Sequence, residues 1–81
     1  MPAKPKVVVY STSWCPWCHK LVDWLKQNNV GFEERNIERS EAFAEEMLAK
    51  SGQESVPVAD VGGEIIIGFD VPALKKALKI K

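Results

Sequence analysis

Eighty-one residues, 46% apolar and 27% charged, are enough for one hydrophobic core and leave no material for a second, so a single domain over 1–81 is expected. Eleven Lys and Arg balance eleven Asp and Glu, which removes any electrostatic reason to expect nucleic acid or a membrane surface as partner. No run approaches the roughly 18 apolar residues of a transmembrane helix, and Met1-Pro2-Ala3-Lys4-Pro5-Lys6 lacks the apolar stretch of a secretory signal, so the expected location is the cytoplasm.

The first element is Lys6-Val7-Val8-Val9-Tyr10, a β-branched run apolar on both faces that reads as a central strand and ends at Ser11-Thr12-Ser13. From Pro16 to Asn29 the period becomes helical. At roughly 100° per residue Cys18, Leu21, Val22 and Leu25 fall in one arc, His19, Lys20, Asp23 and Lys26 lie away from it, and Trp17 and Trp24 sit on its edge, where half-burial is expected. Asn28-Asn29 and Gly31 punctuate the helix end, and Phe32 to Ile37 reads as a second strand. Ser40 is placed to cap a second helix whose Phe43, Ala44, Met47 and Leu48 share a face, with Gly52 as its left-handed end. Pro57 to Val61 and Glu64 to Ile67 flank Gly62-Gly63, a two-residue signal for an antiparallel hairpin. Asp70 caps a last helix with Pro72 in its first turn, Leu74, Ala77 and Leu78 turned inward, and Lys75, Lys76, Lys79 and Lys81 on a solvated outer face. The order β-α-β-α-β-β-α implies an α/β domain: the first two strands parallel through a right-handed crossover, in a mixed four-stranded sheet with its three helices on both faces.

The chain has two cysteines, Cys15 and Cys18. Cys15 follows a strand and loop, and Pro16 suits the first helical position, so the Cys15 sulfur is expected at the helix N-terminus beside unpaired N–H groups that favour the thiolate. Thiolate is the nucleophilic form, which makes Cys15 the candidate attacking group. Cys18, one turn further along the apolar arc, is the candidate resolving thiol. The same letters fit other chemistries. Cys15-Pro16-Trp17-Cys18-His19 matches a c-type haem attachment, which requires export and normally a distal axial ligand, whereas Met47 sits on a core-facing stripe and His19 points outward. A structural zinc site wants four ligands and finds three candidates here. An iron-sulfur cluster needs four thiolates, so this alternative requires a dimer with two further thiols from outside. No metal site and no tightly bound cofactor is expected in the single chain.

From Lys6 to about Leu78 the sequence resembles the glutaredoxin family of the thioredoxin fold. Tyr10 to Cys18 resembles its strand, loop and Cys-Pro-aromatic-Cys motif, Ser55-Val56-Pro57 its Thr-Val-Pro, and Gly68-Phe69-Asp70 its Gly-X-Asp segment. The resemblance implies a three-layer thioredoxin-like fold and a thiol-disulfide oxidoreductase in which Cys15 attacks and Cys18 resolves. It also implies a cis Pro57, a Val56 backbone free to pair with an extended peptide, and a Gly68–Asp70 turn that receives a γ-glutamyl carboxylate. Trp17, Val56, Pro57, Gly68 and Asp70 are thus the expected substrate- or glutathione-binding positions. Glutathione-using members commonly carry Lys at the position of Thr12 and an acid at that of Val71, and this chain has neither. It looks like the short glutaredoxin-like redoxins, some of which are reduced by thioredoxin reductase and feed ribonucleotide reductase. Trp14 and Trp17 would then form an apolar rim for a protein partner. The expected partners are disulfide-containing proteins or glutathione, together with a glutathione-linked reductase or thioredoxin reductase, acting on a monomer.

Overall fold

The structure is a computed structural model that describes residues 6–53 and 55–79. Four strands, β1 (Val7–Ser11), β2 (Glu33–Asn36), β3 (Val58–Val61) and β4 (Glu64–Ile67), form one sheet in the order β2-β1-β3-β4. The β1–β2 pair is parallel and the β1–β3 and β3–β4 pairs are antiparallel. Three helices, α1 (Pro16–Gln27), α2 (Glu41–Ser51) and α3 (Val71–Leu78), complete the expected order.

Every residue of β1 is buried, as a strand covered on both faces requires. Its side chains alternate between two cores. Val7 and Val9 join Leu21 and Leu25 of α1, Ala59, Val61, Ile66 and Leu74 of α3 on one face. Val8 and Tyr10 join Met47 of α2 and Val58 on the other. The result is a three-layer α/β fold of the thioredoxin-like type. The edge strand β2 reads Glu-Glu-Arg-Asn, with both glutamates exposed, and such a charged edge resists pairing with another chain.

The turn chemistry follows the sequence closely. Gly62 and Gly63 adopt φ of 58° and 99°, positive values that a two-residue hairpin demands. Gly52 ends α2 in the left-handed region with its N–H donating to the Leu48 carbonyl at 2.8 Å. The Asp70 Oδ1 accepts from the Ala73 N–H at 3.2 Å, capping α3 as anticipated. Four expectations need correction. Ser40 occupies the N-cap of α2 but its hydroxyl makes no cap bond. The Phe43 and Ala44 N–H groups both converge on the Ser40 carbonyl, which takes over that task. Leu48, expected inside, is 45% exposed, because the Phe43-to-Leu48 arc spans about 140° and the buried stripe is narrower. Trp17 is exposed where half-burial was expected, since it packs into neither core, and the Lys20 ammonium lies 4.4 Å over its ring. Lys75 is half-buried while Lys76 and Lys79 are exposed; Lys81 lies outside the described residues.

On the α2 side the Tyr10 hydroxyl, fully buried, donates to Glu46 Oε1 at 3.0 Å and accepts from Lys50 Nζ at 2.9 Å. Lys50 also reaches Asp60 Oδ2 at 2.7 Å, and Arg35 pairs with both Glu33 and Glu46. Among the described residues no helix is long and apolar enough to cross a membrane.

Candidate functional site

Strand register decides where the site can be. Tyr10 pairs with Val58, and Val58 in turn with Ile67. The chain beyond Ser11, the segment entering β3 and the segment leaving β4 therefore meet at one end of the sheet. Helices α1 and α3 both begin there, one after β1 and one after β4, so two positive helix ends face the same region. This brings Cys15, Pro57, Gly68 and Asp70 together from three distant stretches of sequence.

Cys15 is the N-cap of α1, with φ −85° and ψ 112°. Its Sγ accepts from the Cys18 N–H at 3.3 Å, a use of sulfur in the role that Ser or Asp oxygen fills at ordinary caps. Pro16 takes the adjoining first position, where its missing N–H costs nothing. The loop is closed by the Cys15 N–H donating to the Thr12 carbonyl at 3.5 Å and the His19 N–H donating to the Cys15 carbonyl at 3.2 Å. Both thiols are free. Cys15 is 5% exposed and Cys18 1%, so the contrast between an open and a shielded thiol is smaller than the sequence suggests. Trp14, 71% exposed, and Trp17, 55% exposed, stand on either side of Cys15 as an apolar rim.

Burial, reinforced by the hydrogen bond with Cys15, pushes the Cys18 thiol up to about 12, and the Thr12 backbone opposes this only in part. At neutral pH Cys18 is therefore a thiol whose proton must leave before its sulfur can attack.

The Val56–Pro57 peptide bond is cis, as the resemblance implied. Pro57 is buried, and its carbonyl accepts from the Gly68 N–H at 2.8 Å, which ties the segment entering β3 to the turn before α3. Val56 is half-buried, and among the described residues its backbone N–H and C=O make no hydrogen bond. Gly68 has φ 79°, which leaves this turn to glycine, and Asp70 is exposed at the start of α3.

Other features of this end escaped sequence reasoning. Thr12 is 6% exposed and its Oγ1 is buried with no hydrogen-bond partner. A cavity of about 460 Å³, lined by Thr12, Ser13, His19, Glu34, Asn36, Arg39 and Phe43, opens on the β2 side of the Cys15 loop. Only the three-dimensional closure of the β2–α2 turn against Ser13 creates it. Among the described residues no three or more His, Cys, Asp or Glu are grouped to hold a metal ion.

A family profile described as Glutaredoxin matches residues 7–66. An uncharacterised glutaredoxin-like 8.6 kDa protein in the rubredoxin operon of Clostridium pasteurianum is 37% identical over 73 residues, 90% of this chain and 97% of that protein. A glutaredoxin of Pseudomonas aeruginosa is 32% identical over 94% of this chain and 92% of its own length. Among solved structures, the glutaredoxin grx-1 of Archaeoglobus fulgidus superposes with a TM-score of 0.83 at 30% identity, covering 93% of this chain and 87% of that one.

Proposed function

The chain belongs to the glutaredoxin family, and from that premise we propose that it is a thiol-disulfide oxidoreductase in which Cys15 attacks substrate disulfides and Cys18 resolves the product. The observation that carries this reading is the unequal setting of the paired sulfurs: Cys15 Sγ caps a helix and accepts an N–H bond, while burial holds Cys18 protonated. In the first step the Cys15 thiolate forms a bond to one substrate sulfur and the other leaves as a thiolate. Cys18 then gives up its proton and attacks the Cys15 sulfur, releasing the second substrate thiolate and leaving a Cys15–Cys18 disulfide. The substrate has gained two electrons and the protein has lost two. A dithiol reductase or two thiols restore the pair.

Val56 and Pro57 align the substrate. The unpaired Val56 backbone accepts an extended peptide as an added strand, so affinity comes from main chain and selectivity stays broad. Trp17 supplies apolar contact beside the motif, and the Gly68–Asp70 turn with the α3 N-terminus takes a carboxylate. The reductant that best suits this site is a protein of the thioredoxin reductase kind. Thr12 is buried and neutral and Val71 is half-buried and neutral, so neither gives glutathione a charged partner. The protein acts as a cytoplasmic monomer of one domain, carrying no tightly bound cofactor.

Cysteine replacement tests the roles. Cys15→Ser is expected to abolish disulfide exchange, whereas Cys18→Ser is expected to accumulate stable mixed disulfides on Cys15, visible as mass adducts. Full activity in Cys15→Ser, or adducts on Cys18 alone, reverses the assignment. Comparing turnover with thioredoxin reductase against turnover with glutathione and its reductase tests the reductant; efficient turnover with glutathione alone overturns that part.

A further inference from the structure

The two edges of the sheet are unlike. The β2 edge is charged, whereas the β4 edge reads Glu64-Ile65-Ile66-Ile67. Of the large apolar side chains left exposed, Trp14 and Trp17 rim Cys15, while Ile67, 50% exposed, stands on the outermost strand of the sheet.

Register shows which backbone groups this edge offers. The tight Gly62-Gly63 turn makes Val61 and Glu64 a hydrogen-bonded pair, and the Gly68 N–H bonds the Pro57 carbonyl at 2.8 Å. Hydrogen-bonded pairs alternate along an antiparallel ladder, so Glu64, Ile66 and Gly68 turn their backbone groups toward β3, and Ile65 and Ile67 turn theirs away. Among the described residues no loop or cap hydrogen bond reaches the backbone of Ile65 or Ile67. Ile66 packs into the Leu74 core and Ile65 against the Met47 core, so Ile67 shares the side of Ile65.

Such an edge fits an added antiparallel strand, and this one is its own complement. A two-fold axis through Ile66 sets Ile66 against the partner's Ile66, Ile65 against the partner's Ile67, and Ile67 against the partner's Ile65. Each of the last two pairs exchanges two N–H···O bonds through the outward groups. Ile65 and Ile67 of both copies then cluster on one side of the joined sheet. Glu64 falls opposite Gly68, so no carboxylate faces another across the ladder.

We propose that β4 is a self-pairing edge: two copies join antiparallel about Ile66 into a resting form, in which the partner's Glu64 lies beside the Gly68–Asp70 turn and opposes a substrate carboxylate there. The monomer remains the acting form. The pairing follows from the strand alone, and its effect on the site rests on the reading of that turn as the carboxylate subsite. A self-complementary contact closes at two copies, and a strand of four residues makes it weak and reversible.

The pairing is tested on the reduced protein from about 20 µM to about 1 mM, a range suited to weak complexes. Amide–water exchange measured by NMR is expected to slow about threefold at Ile65 and Ile67 at the upper end, while Ile66, already bonded to β3, stays constant. Sedimentation should show a dimer and nothing larger. Ile67→Lys, whose ammonium reaches water in the monomer but is trapped among isoleucines in the pair, should remove both signs. No slowing at the upper concentration, slowing that survives Ile67→Lys, or growth beyond two copies overturns the pairing.

The effect on the site is read in Cys18→Ser, where the Cys15 thiolate attacks a disulfide, one S–S bond breaks, one forms and a thiolate leaves. Uptake of dithiodiglycolate, which bears carboxylates, is compared with uptake of neutral 2-hydroxyethyl disulfide. The ratio of the two rates should fall about threefold as the pair forms. Adding Ile67→Lys should hold the ratio constant by preventing pairing, and adding Glu64→Gln should hold it constant while Ile65 and Ile67 stay protected. A constant ratio in Cys18→Ser alone, with Ile65 and Ile67 protected, overturns the resting form. A ratio in the dilute monomer equal to that of an unstructured cysteine peptide removes the carboxylate reading of the turn, and failure to take up the neutral disulfide at any concentration removes the exchange reading of Cys15.

Discussion

Cys15 and Cys18 are separated by one helical turn and both are buried, yet their sulfurs play different parts in the helix. Cys15 Sγ meets the open N-terminus of α1 and the Cys18 N–H at 3.3 Å. Cys18 lies among the core side chains of the same helix, and burial holds its thiol up at about 12. Alkylation rate follows the thiolate fraction, so the two sulfurs should react in strict order. In the reduced protein at pH 8, iodoacetamide is expected to label Cys15 and leave Cys18 untouched for as long as the fold persists, with both labelled in denaturant. Peptide mapping reads the sites. Simultaneous labelling under native conditions would show that burial does not protect Cys18, and the division into attacking and resolving thiols would lose its physical basis.

At the level of elements, what the chain positions most firmly are helix starts. The Asp70 carboxylate bonds the Ala73 N–H, one of the N–H groups that the first turn of α3 cannot satisfy internally. Its removal in Asp70→Ala should cost about 1 kcal/mol, or a fall in Tm of about 4–8 °C for a domain of this size. Asp70→Asn, which keeps the cap oxygen, should recover most of it. An unchanged Tm in Asp70→Ala means that water or another group already serves that N–H. Asp70 was legible because an N-cap leaves a local signature, and the same holds for Gly52, for Gly62-Gly63 and for Pro16. The central position of β1 could be read from an uninterrupted β-branched run. What could not be read depends on distant neighbours. The failed hydroxyl cap at Ser40, the open Trp17 and the exposed Leu48 all turn on what packs, or does not pack, against one helix face. The cavity between Thr12 and Arg39 needs the turn after β2 to close against Ser13, a contact that no local spacing encodes. The cis Val56–Pro57 bond was anticipated only through the family resemblance, since the residues alone favour trans.

The whole molecule couples its layers through charge, and that coupling fixes how its stability varies with pH. On the α2 face the Tyr10 hydroxyl and then Arg35 hold the Glu46 carboxyl below its ordinary value, and Arg35 does the same for Glu33. Burial pushes Asp60 up, but the Lys50 ammonium and the Gly63 N–H outweigh it, and its net shift is downward. A carboxyl whose folded value is depressed contributes stability that is present above its unfolded value, 3.8 for Asp60 and 4.5 for Glu46 and Glu33, and lost as pH falls further. Lys50, raised above 10.5 chiefly by Asp60, contributes below that value and fades above it. Cys18 has the same sign as Lys50 but a lower threshold: the unfolded thiol ionises near 9.0 while the folded one resists until about 12, so stability drains away as pH rises through this interval. The exposed carboxylates give small, salt-screened contributions, whereas Cys18 sits in the core. The reduced protein should accordingly show a plateau in urea midpoint between about pH 5 and pH 9 and a decline on either side. Asp60→Asn should flatten the acid limb and Cys18→Ala the first part of the alkaline limb, the latter measured against a lower plateau because a core side chain has been trimmed. Urea melts from pH 3 to pH 10.5 with reductant present would decide it. Parallel alkaline limbs for the reduced protein and Cys18→Ala would mean that the buried thiol does not link folding to pH.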